Sequence, residues 1–117
     1  MDLFNSQKKD KLKESVRKIL EKYDDRVPIF VFKSRRDSAL NNIDKNKYIV
    51  PSNLTAGELL NIIRKKLEIN QEVSVCLFIN DKIMISNSEK IGVLYEEYKN
   101  EDLLLTIYYC GENTFGH

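Results

Sequence analysis

The spacing of apolar residues changes along the chain from a helical period to a strand period. One face of an amphipathic helix is outlined by Leu12, Val16, Ile19, Leu20 and Tyr23. The pattern predicts a helix over residues 6–23, with Asn5 or Ser6 as its N-terminal cap. Pro28 disfavours helical geometry in the residue before it, so the helix is expected to end upstream of that proline.

After this helix, runs of β-branched and aromatic residues predict strands interrupted by two further helices. The predicted strands cover residues 29–32, 48–50, 73–79, 83–85 and 103–110. Thr55 and Glu58 have the spacing of a capping box, which predicts a helix that starts there and ends near Ile69. Apolar spacing predicts a shorter helix over 91–98, and Asn80-Asp81-Lys82 predicts a tight turn.

This order of elements favours an α+β fold of the ubiquitin-like β-grasp type. A mixed sheet of four or five strands would hold the helix that follows Thr55 on one face, and a ferredoxin-like split βαβ fold is the competing topology. The second strand is expected at a sheet edge, because Pro51 cannot donate to a neighbouring strand. Its apolar residues point to both faces, so the N-terminal helix is expected to cover the opposite face.

We expect one domain, because no linker, repeat or low-complexity segment interrupts the chain. It divides into a helical extension at 1–24 that packs on the domain, a β-grasp unit at 25–110 and a flexible C-terminal tail at 111–117.

Composition excludes several kinds of catalytic site. The single histidine is His117, the last of the 117 residues, so His-dependent nucleophilic, general-base or zinc chemistry would rest on a terminus. Cys76 and Cys110 lie in apolar runs without CxxC spacing and are expected to be buried, reduced thiols. No glycine-rich phosphate loop is present. We therefore predict a protein that is not an enzyme and that uses no metal or cofactor.

Two further patterns bear on location. The apolar stretches are shorter than the roughly 20 residues that span a bilayer, and the N-terminus lacks the pattern of a secretion signal. We therefore expect a cytoplasmic protein.

The net charge of +1 conceals an uneven distribution. Residues 1–50 carry 13 Lys or Arg against 8 Asp or Glu, whereas residues 51–117 carry 6 against 10. The basic excess in the first helix consists of Lys8, Lys9, Lys11, Lys13, Arg17, Lys18 and Lys22. A solvated helix face explains it, and an acidic partner or anionic membrane is the alternative. Nucleic acid is not expected, because no aromatic residues interleave with these lysines.

Several short blocks, taken in order, resemble the autophagy ubiquitin-like modifiers. They are DRVP at 25–28, DKNKYIVPSNLT at 44–55, IRKK at 63–66, LY at 94–95, ED at 101–102 and FGH at 115–117. Each block alone is a weak signal, but the likeness runs nearly in register from about Val16 to the end of the chain.

The resemblance implies that the chain is a substrate of enzymes. Family members are cut by a cysteine protease after a C-terminal glycine, and ubiquitin-like activating and conjugating enzymes join that glycine to the amine of phosphatidylethanolamine. Here His117 would be removed and Gly116 conjugated. Glycine suits this chemistry because its carbonyl is unhindered and its backbone fits a narrow channel. The lipid would bring a cytoplasmic protein to autophagosome or vesicle membranes.

The resemblance also implies a binding site for cargo receptors that carry aromatic-x-x-aliphatic motifs. The motif would pair with the second strand by β-augmentation. The aromatic pocket would be lined by Ile19, Pro28, Lys47, Ile49 and Leu104. The aliphatic pocket would be lined by Tyr48, Val50, Pro51, Leu54, Leu59, Ile62 and Ile63. Acidic residues beside the motif would meet Arg26, Lys45, Lys47 and Lys66. For Val50, Leu59 and Ile62 we expect both a core role and a pocket role.

Two residues depart from the family pattern at the aromatic pocket. Ser15 stands where an acidic residue is common, and Leu104 stands where Phe is common. These differences are expected to change the polarity and shape of the pocket, and its preference for Trp over smaller aromatics.

The alternative function is an unconjugated ubiquitin-like adaptor that binds peptide motifs or cytoskeletal or membrane partners.

Overall fold

The elements follow the predicted order along the part of the chain that the structure describes. The structure is a computed structural model that describes residues 3–111, with side chains described from residue 11 onward. The elements are α1 (Leu3–Lys22), β1 (Arg26–Lys33), β2 (Lys47–Pro51), α2 (Ala56–Leu67), β3 (Val75–Ile79), β4 (Ile83–Met84), α3 (Ile91–Tyr98) and β5 (Leu105–Gly111). Within this part of the chain, no helix combines the length and the apolar character that crossing a membrane requires.

The strands form one mixed sheet in the order β2-β1-β5-β3-β4. The first and last strands, β1 and β5, lie side by side and parallel at the centre, and the other neighbours are antiparallel. This is the β-grasp topology and not the ferredoxin-like alternative. It confirms the predicted fold class and places β2 at an edge of the sheet.

The main core lies between one face of the sheet and the helices α2 and α3. Its centre includes Ile29 and Leu105 from the central strands and Ile63 from α2, all fully or almost fully buried. The predicted capping box begins α2: the Glu58 amide donates to Thr55 Oγ1 at 3.2 Å, and the Thr55 amide donates to Glu58 Oε1 at 3.1 Å. This cap fixes where α2 starts relative to β2.

The helix α1 packs against β1 on the opposite face of the sheet. Val16 is its most buried described residue, at 3% exposed, and it lies beside Pro28 and Phe30, whose side chains point away from the main core. The predicted cover on the second face is therefore present. Because α1 and β2 lie side by side along β1, a cleft forms between them.

Several boundaries differ from the sequence-based expectation. The strand β1 begins three residues earlier than predicted, at Arg26, and β3 and β5 each begin two residues later, at Val75 and Leu105. The helix α1 begins at Leu3, so Asn5 and Ser6 lie inside its first turns. The prediction that one of them is the N-terminal cap is therefore wrong. Polar residues are tolerated in a first turn, and the Lys-rich stretch that follows has good helix propensity, so this polar pair does not mark the boundary.

Pro28 lies inside β1, six residues after α1 ends at Lys22. The Val31 amide donates to the Asn46 carbonyl at 2.9 Å, which fixes the hydrogen-bonding phase between β1 and β2. In that phase the nitrogen of Pro28 points away from β2, and pairing with β5 begins only at Ile29. The missing N–H of the proline therefore removes no ladder hydrogen bond.

The two cysteines are thiols with different exposure. Cys110 is fully buried, as expected, whereas Cys76 is only half-buried. Burial is the main influence on the Cys110 thiol and raises its pKa.

Candidate functional site

The outer edge of β2 carries open backbone groups. Among residues 3–111, β2 pairs on one side only, with β1. Along an antiparallel strand, residues that bond to the neighbouring strand alternate with residues whose N–H and C=O groups point away from it. The Val31–Asn46 hydrogen bond shows that the even-numbered residues of β2 are the ones that bond to β1. The N–H and C=O groups of Lys47 and Ile49 therefore point away from the sheet, where another strand can pair with them.

A cavity of about 440 Å³ opens beside this edge, between α1 and the sheet. We call it the α1 cavity; its lining consists of Leu12, Ser15, Val16, Ile19, Pro28, Ile29, Phe30, Lys45, Lys47, Tyr48, Ile49 and Leu104. The five residues predicted for the aromatic pocket are all among them. Sequence reasoning missed Leu12 and Phe30, although the helical stripe of α1 and the alternation along β1 contain the signal for both.

The α1 cavity has an apolar floor and a polar rim. Leu104, at 4% exposed, closes the floor, and Ile49, at 38% exposed, reaches in from the edge strand. Ser15 and Lys47 are exposed at the mouth, and the Lys47 Nζ atom lies 5.8 Å from the centre of the Phe30 ring. The site is thus shaped for a large apolar group, with cations beside its entrance.

The residues predicted for the aliphatic pocket divide into two layers. Val50, Leu59 and Ile63 are in the core, and Ile63 is only 1% exposed, so they support the surface from below. The other four are partly or fully exposed and form what we call the α2 surface: Tyr48, Pro51, Leu54 and Ile62. Four of the seven residues are therefore at least partly exposed.

The position of Lys66 shows which side of α2 faces the edge strand. Its Nζ atom lies 5.6 Å from the centre of the Tyr48 ring, so this face of α2 adjoins β2. Ile62 precedes Lys66 by one helical turn and lies on the same face. Ile62 is 39% exposed, so it presents apolar area directly beside the edge.

The four predicted cations are all exposed near the edge. Lys45 lies 5.6 Å from the Tyr48 ring centre, on the same ring as Lys66, and Arg26 lies 5.7 Å from the ring of Tyr23. Among residues 11–111, none of the four forms an ion pair within 4 Å. Their charges are therefore available to an acidic group from outside.

Tyr48 links the two halves of the site. Its Oη atom donates to the Lys45 carbonyl at 2.6 Å, and burial, with a smaller effect of the Asp44 carboxylate, raises the pKa of its hydroxyl. The hydroxyl therefore stays protonated as a donor and holds the loop before β2 against the strand.

A second cavity, of about 560 Å³, lies on the other side of this tyrosine. It is lined by Asn41, Asn42, Ile43, Asp44, Lys45, Tyr48, Lys66, Leu67 and Glu68. Sequence reasoning missed it, because the loop before β2 and the end of α2 meet only through tertiary packing.

The predicted conjugation site falls beyond the part of the chain that the structure describes. Gly116 and His117 lie outside residues 3–111, and the last described residue, Gly111, ends β5.

Comparisons with known proteins agree with the fold and with the resemblance. The family model described as "Autophagy protein Atg8 ubiquitin like" matches residues 11–116. Autophagy-related protein 8e of Arabidopsis thaliana is 42% identical over 107 residues, which cover 92% of this chain and 86% of the relative. Autophagy-related protein 8 of Schizosaccharomyces pombe is also 42% identical over 107 residues, covering 92% and 87%.

A solved structure supports the same assignment. The crystal structure of Trypanosoma brucei ATG8 superposes with a TM-score of 0.83 at 30% identity, covering 92% of this chain and 91% of that one. Since the family model and the relatives both span nearly all of the chain, this protein belongs to the Atg8 family of ubiquitin-like autophagy proteins.

Proposed function

We propose that this protein is a lipid-conjugated modifier that recruits peptide motifs through β2. A cysteine protease removes His117, and ubiquitin-like activating and conjugating enzymes join Gly116 to phosphatidylethanolamine. The protein then moves from the cytoplasm to autophagosome or vesicle membranes. There it binds cargo receptors that carry an aromatic-x-x-aliphatic motif. It is itself a substrate and an adaptor, not an enzyme.

The observation that carries the peptide-binding part is the open edge of β2 with apolar sites on both of its faces. Successive side chains of an extended strand alternate between faces, so two anchors three residues apart point in opposite directions. The α1 cavity lies on one face, and the α2 surface lies on the other. A motif with this spacing fits both sites at once.

The positions of the two sites also set the direction of the ligand strand. The α1 cavity lies beside Lys47 and Ile49, and the α2 surface extends past the end of β2 to Leu54. Three residues of extended chain span about 10 Å. A ligand that runs parallel to β2 therefore places its aromatic anchor first and its aliphatic anchor further along.

The cations account for the acidic residues expected before the aromatic anchor. In a parallel ligand, residues upstream of that anchor lie near Lys45 and Lys47, both exposed. Lysines at an edge also deter indiscriminate strand pairing. The same side chains thus repel unsuitable strands and attract acidic ones.

Conjugation is tested by the intact mass of the protein from cells of the source organism. We expect a soluble form lacking only His117 and a membrane-bound form carrying one phosphatidylethanolamine. Gly116→Ala should abolish the lipid adduct, whereas a variant that ends at Gly116 should be conjugated without the protease. Retention of His117 in every fraction contradicts the proposal.

Peptide binding is tested by calorimetric titration of the purified protein. The ligand carries two acidic residues followed by Trp-x-x-Leu. Two matched peptides serve as controls: one has Ala at both anchors, and one has Trp-x-x-x-Leu, which turns both anchors to the same face. We expect binding of the first peptide only, and equal affinity for the third contradicts the two-face arrangement.

The second candidate function is an unconjugated adaptor, and the open edge of β2 favours it equally. The two candidates agree on the titration and differ on the mass measurement. A protein that binds the motif while always retaining His117 is the adaptor alone.

A further inference from the structure

Cys76 and Cys110 are opposed residues on neighbouring strands. They are direct Cα partners in the antiparallel ladder between β3 and β5. Opposed residues in such a ladder project to the same face of the sheet. Cys76 and Cys110 therefore share the face that the main core does not use.

The phase of this ladder gives the distance between them. The Asn80 amide donates to the Thr106 carbonyl at 3.1 Å, and these two residues continue the same register. Hydrogen-bonded pairs recur at every second residue of an antiparallel ladder, so Cys76 and Cys110 also form such a pair. The Cα atoms of a hydrogen-bonded pair are about 5.5 Å apart. Disulfides form at Cα separations of about 4.4–6.8 Å, so the Cα spacing of this pair is suitable. The Cβ atoms of opposed residues are about 4.5–5.5 Å apart, so they must approach by about 1 Å for the bond to close.

The two thiols also differ in their exposure to solvent, which sets the order in which they react. Cys76 is half-buried and open to a small oxidant, whereas Cys110 is fully buried beside it. An attacking reagent reaches Cys76 first and leaves Cys110 as the resolving group.

We infer that Cys76 and Cys110 form a reversible disulfide when the protein meets an oxidant such as glutathione disulfide. The Cys76 thiolate attacks the reagent, forms a mixed disulfide and releases one glutathione. The Cys110 sulfur then attacks the Cys76 sulfur and releases the second glutathione, which takes the Cys110 proton. Two protein thiols are oxidised, and one glutathione disulfide is reduced to two glutathiones.

The bond would join β3 to β5 one residue before the end of β5. It constrains the unfolded chain and ties the last strand into the sheet. The inference stands independently of conjugation and peptide binding, because it depends only on the register of β3 and β5.

The test is intact mass and peptide mapping of the folded wild-type protein after incubation with glutathione disulfide. We expect a monomer lighter by two hydrogen atoms, with a peptide that links Cys76 to Cys110, and full recovery of both thiols with dithiothreitol. The oxidised form should also unfold at a higher temperature. Two free thiols, a glutathione adduct alone or a covalent dimer alone would each overturn the inference.

Three variants separate register from simple thiol reactivity. Cys76→Ser should prevent the intramolecular bond, and Cys110→Ser should stop the reaction at a glutathione adduct on Cys76. The double variant C76S/S74C keeps two thiols but moves one to the exposed position just before β3. A diagonal separation of about 7–8 Å then exceeds the disulfide range, so no bond is expected. Cross-linking of this variant at the wild-type rate contradicts the role of the register.

Discussion

Pro28 and Ile49 face each other across the β1–β2 ladder, and both side chains line the α1 cavity. In the phase of this ladder they form a non-hydrogen-bonded pair, so the backbone groups of Ile49 point outward. Ile49 thus offers its side chain to the anchor of a ligand and its backbone to the strand of that ligand. Strand pairing and anchor insertion are coupled at one residue.

Truncation of the α2 surface should weaken motif binding. Ile62→Ala or Leu54→Ala is expected to cost about 1–3 kcal/mol of binding free energy, as for apolar anchor contacts. Met84→Ala is the matched control, because Met84 is 56% exposed on β4, at the opposite edge of the sheet from β2. Calorimetric titration measures the effect. Unchanged affinity in folded Ile62→Ala and Leu54→Ala variants would remove this surface from the site.

Charge reversal at the edge should weaken binding in a salt-dependent manner. Lys47→Glu places a carboxylate where the acidic residues of the motif are expected, and the repulsion should lower the affinity several-fold at low salt. At about 1 M salt, where the Debye length is about 3 Å, most of the difference should disappear. Lys82→Glu, in the turn between β3 and β4, makes the same charge change at a distance and should bind like the wild type.

Leu104 should control which aromatic anchor is preferred. Leu104→Phe adds volume at the floor of the 440 Å³ cavity, so a Trp anchor should lose about 1 kcal/mol more than a Phe anchor. Titration of paired peptides that differ only at the anchor measures this change. An equal loss for both peptides would mean that the floor of the cavity does not contact the anchor.

The capping box should make stability depend on pH. Hydrogen bonds from the backbone and side chain of Thr55 hold the pKa of Glu58 below its ordinary value of 4.5. A lowered folded-state pKa means that the ionised carboxylate favours the folded state. Its contribution is complete above pH 4.5 and is lost as the pH falls through the lowered value.

Urea unfolding checks this prediction. Thr55→Ala should reduce the free energy of unfolding by about 1 kcal/mol at neutral pH. The difference in this free energy between the variant and the wild type, which we call the gap, should narrow in acid. Glu58→Gln is the control that removes the titrating group, and its gap from wild type should also narrow in acid. A gap that stays constant with pH for Glu58→Gln would contradict the assignment.

Gly92 should tolerate no side chain. A Cβ atom there would lie 2.6 Å from the Ser52 carbonyl oxygen, which is backbone and cannot swing aside. Gly92→Ala should therefore destabilise the fold by about 1–3 kcal/mol, as overpacking does, and disturb the segment after β2. At Gly57 the nearest contact would be 3.2 Å, so Gly57→Ala should cost less in the same urea measurement.

The sequence predicted the elements whose signals are local. The Thr55–Glu58 cap, the turn at 80–82 and the edge position of the strand before Pro51 each rest on a few adjacent residues. The turn appears as predicted, with positive φ at Asn80 and Asp81. Helical and strand periodicities also placed Ile19 and Ile49 on the faces that meet in the α1 cavity.

Features that depend on tertiary packing could not be predicted in this way. The approach of Lys66 to Tyr48 depends on how far α2 extends along β2, and the register that opposes Cys76 to Cys110 depends on the order of the strands. The division of 1–24, 25–110 and 111–117 stays a prediction.

The most direct test of the proposed site is amide hydrogen exchange with and without the acidic Trp-x-x-Leu peptide. The amides of Lys47 and Ile49 should exchange fast in the free protein and slow down on binding, because their N–H groups gain a partner strand. The amides of Tyr48 and Val50, already bonded to β1, should change little. If bound peptide leaves Lys47 and Ile49 exchanging at the free rate, the ligand does not extend the sheet at β2 and the account is contradicted.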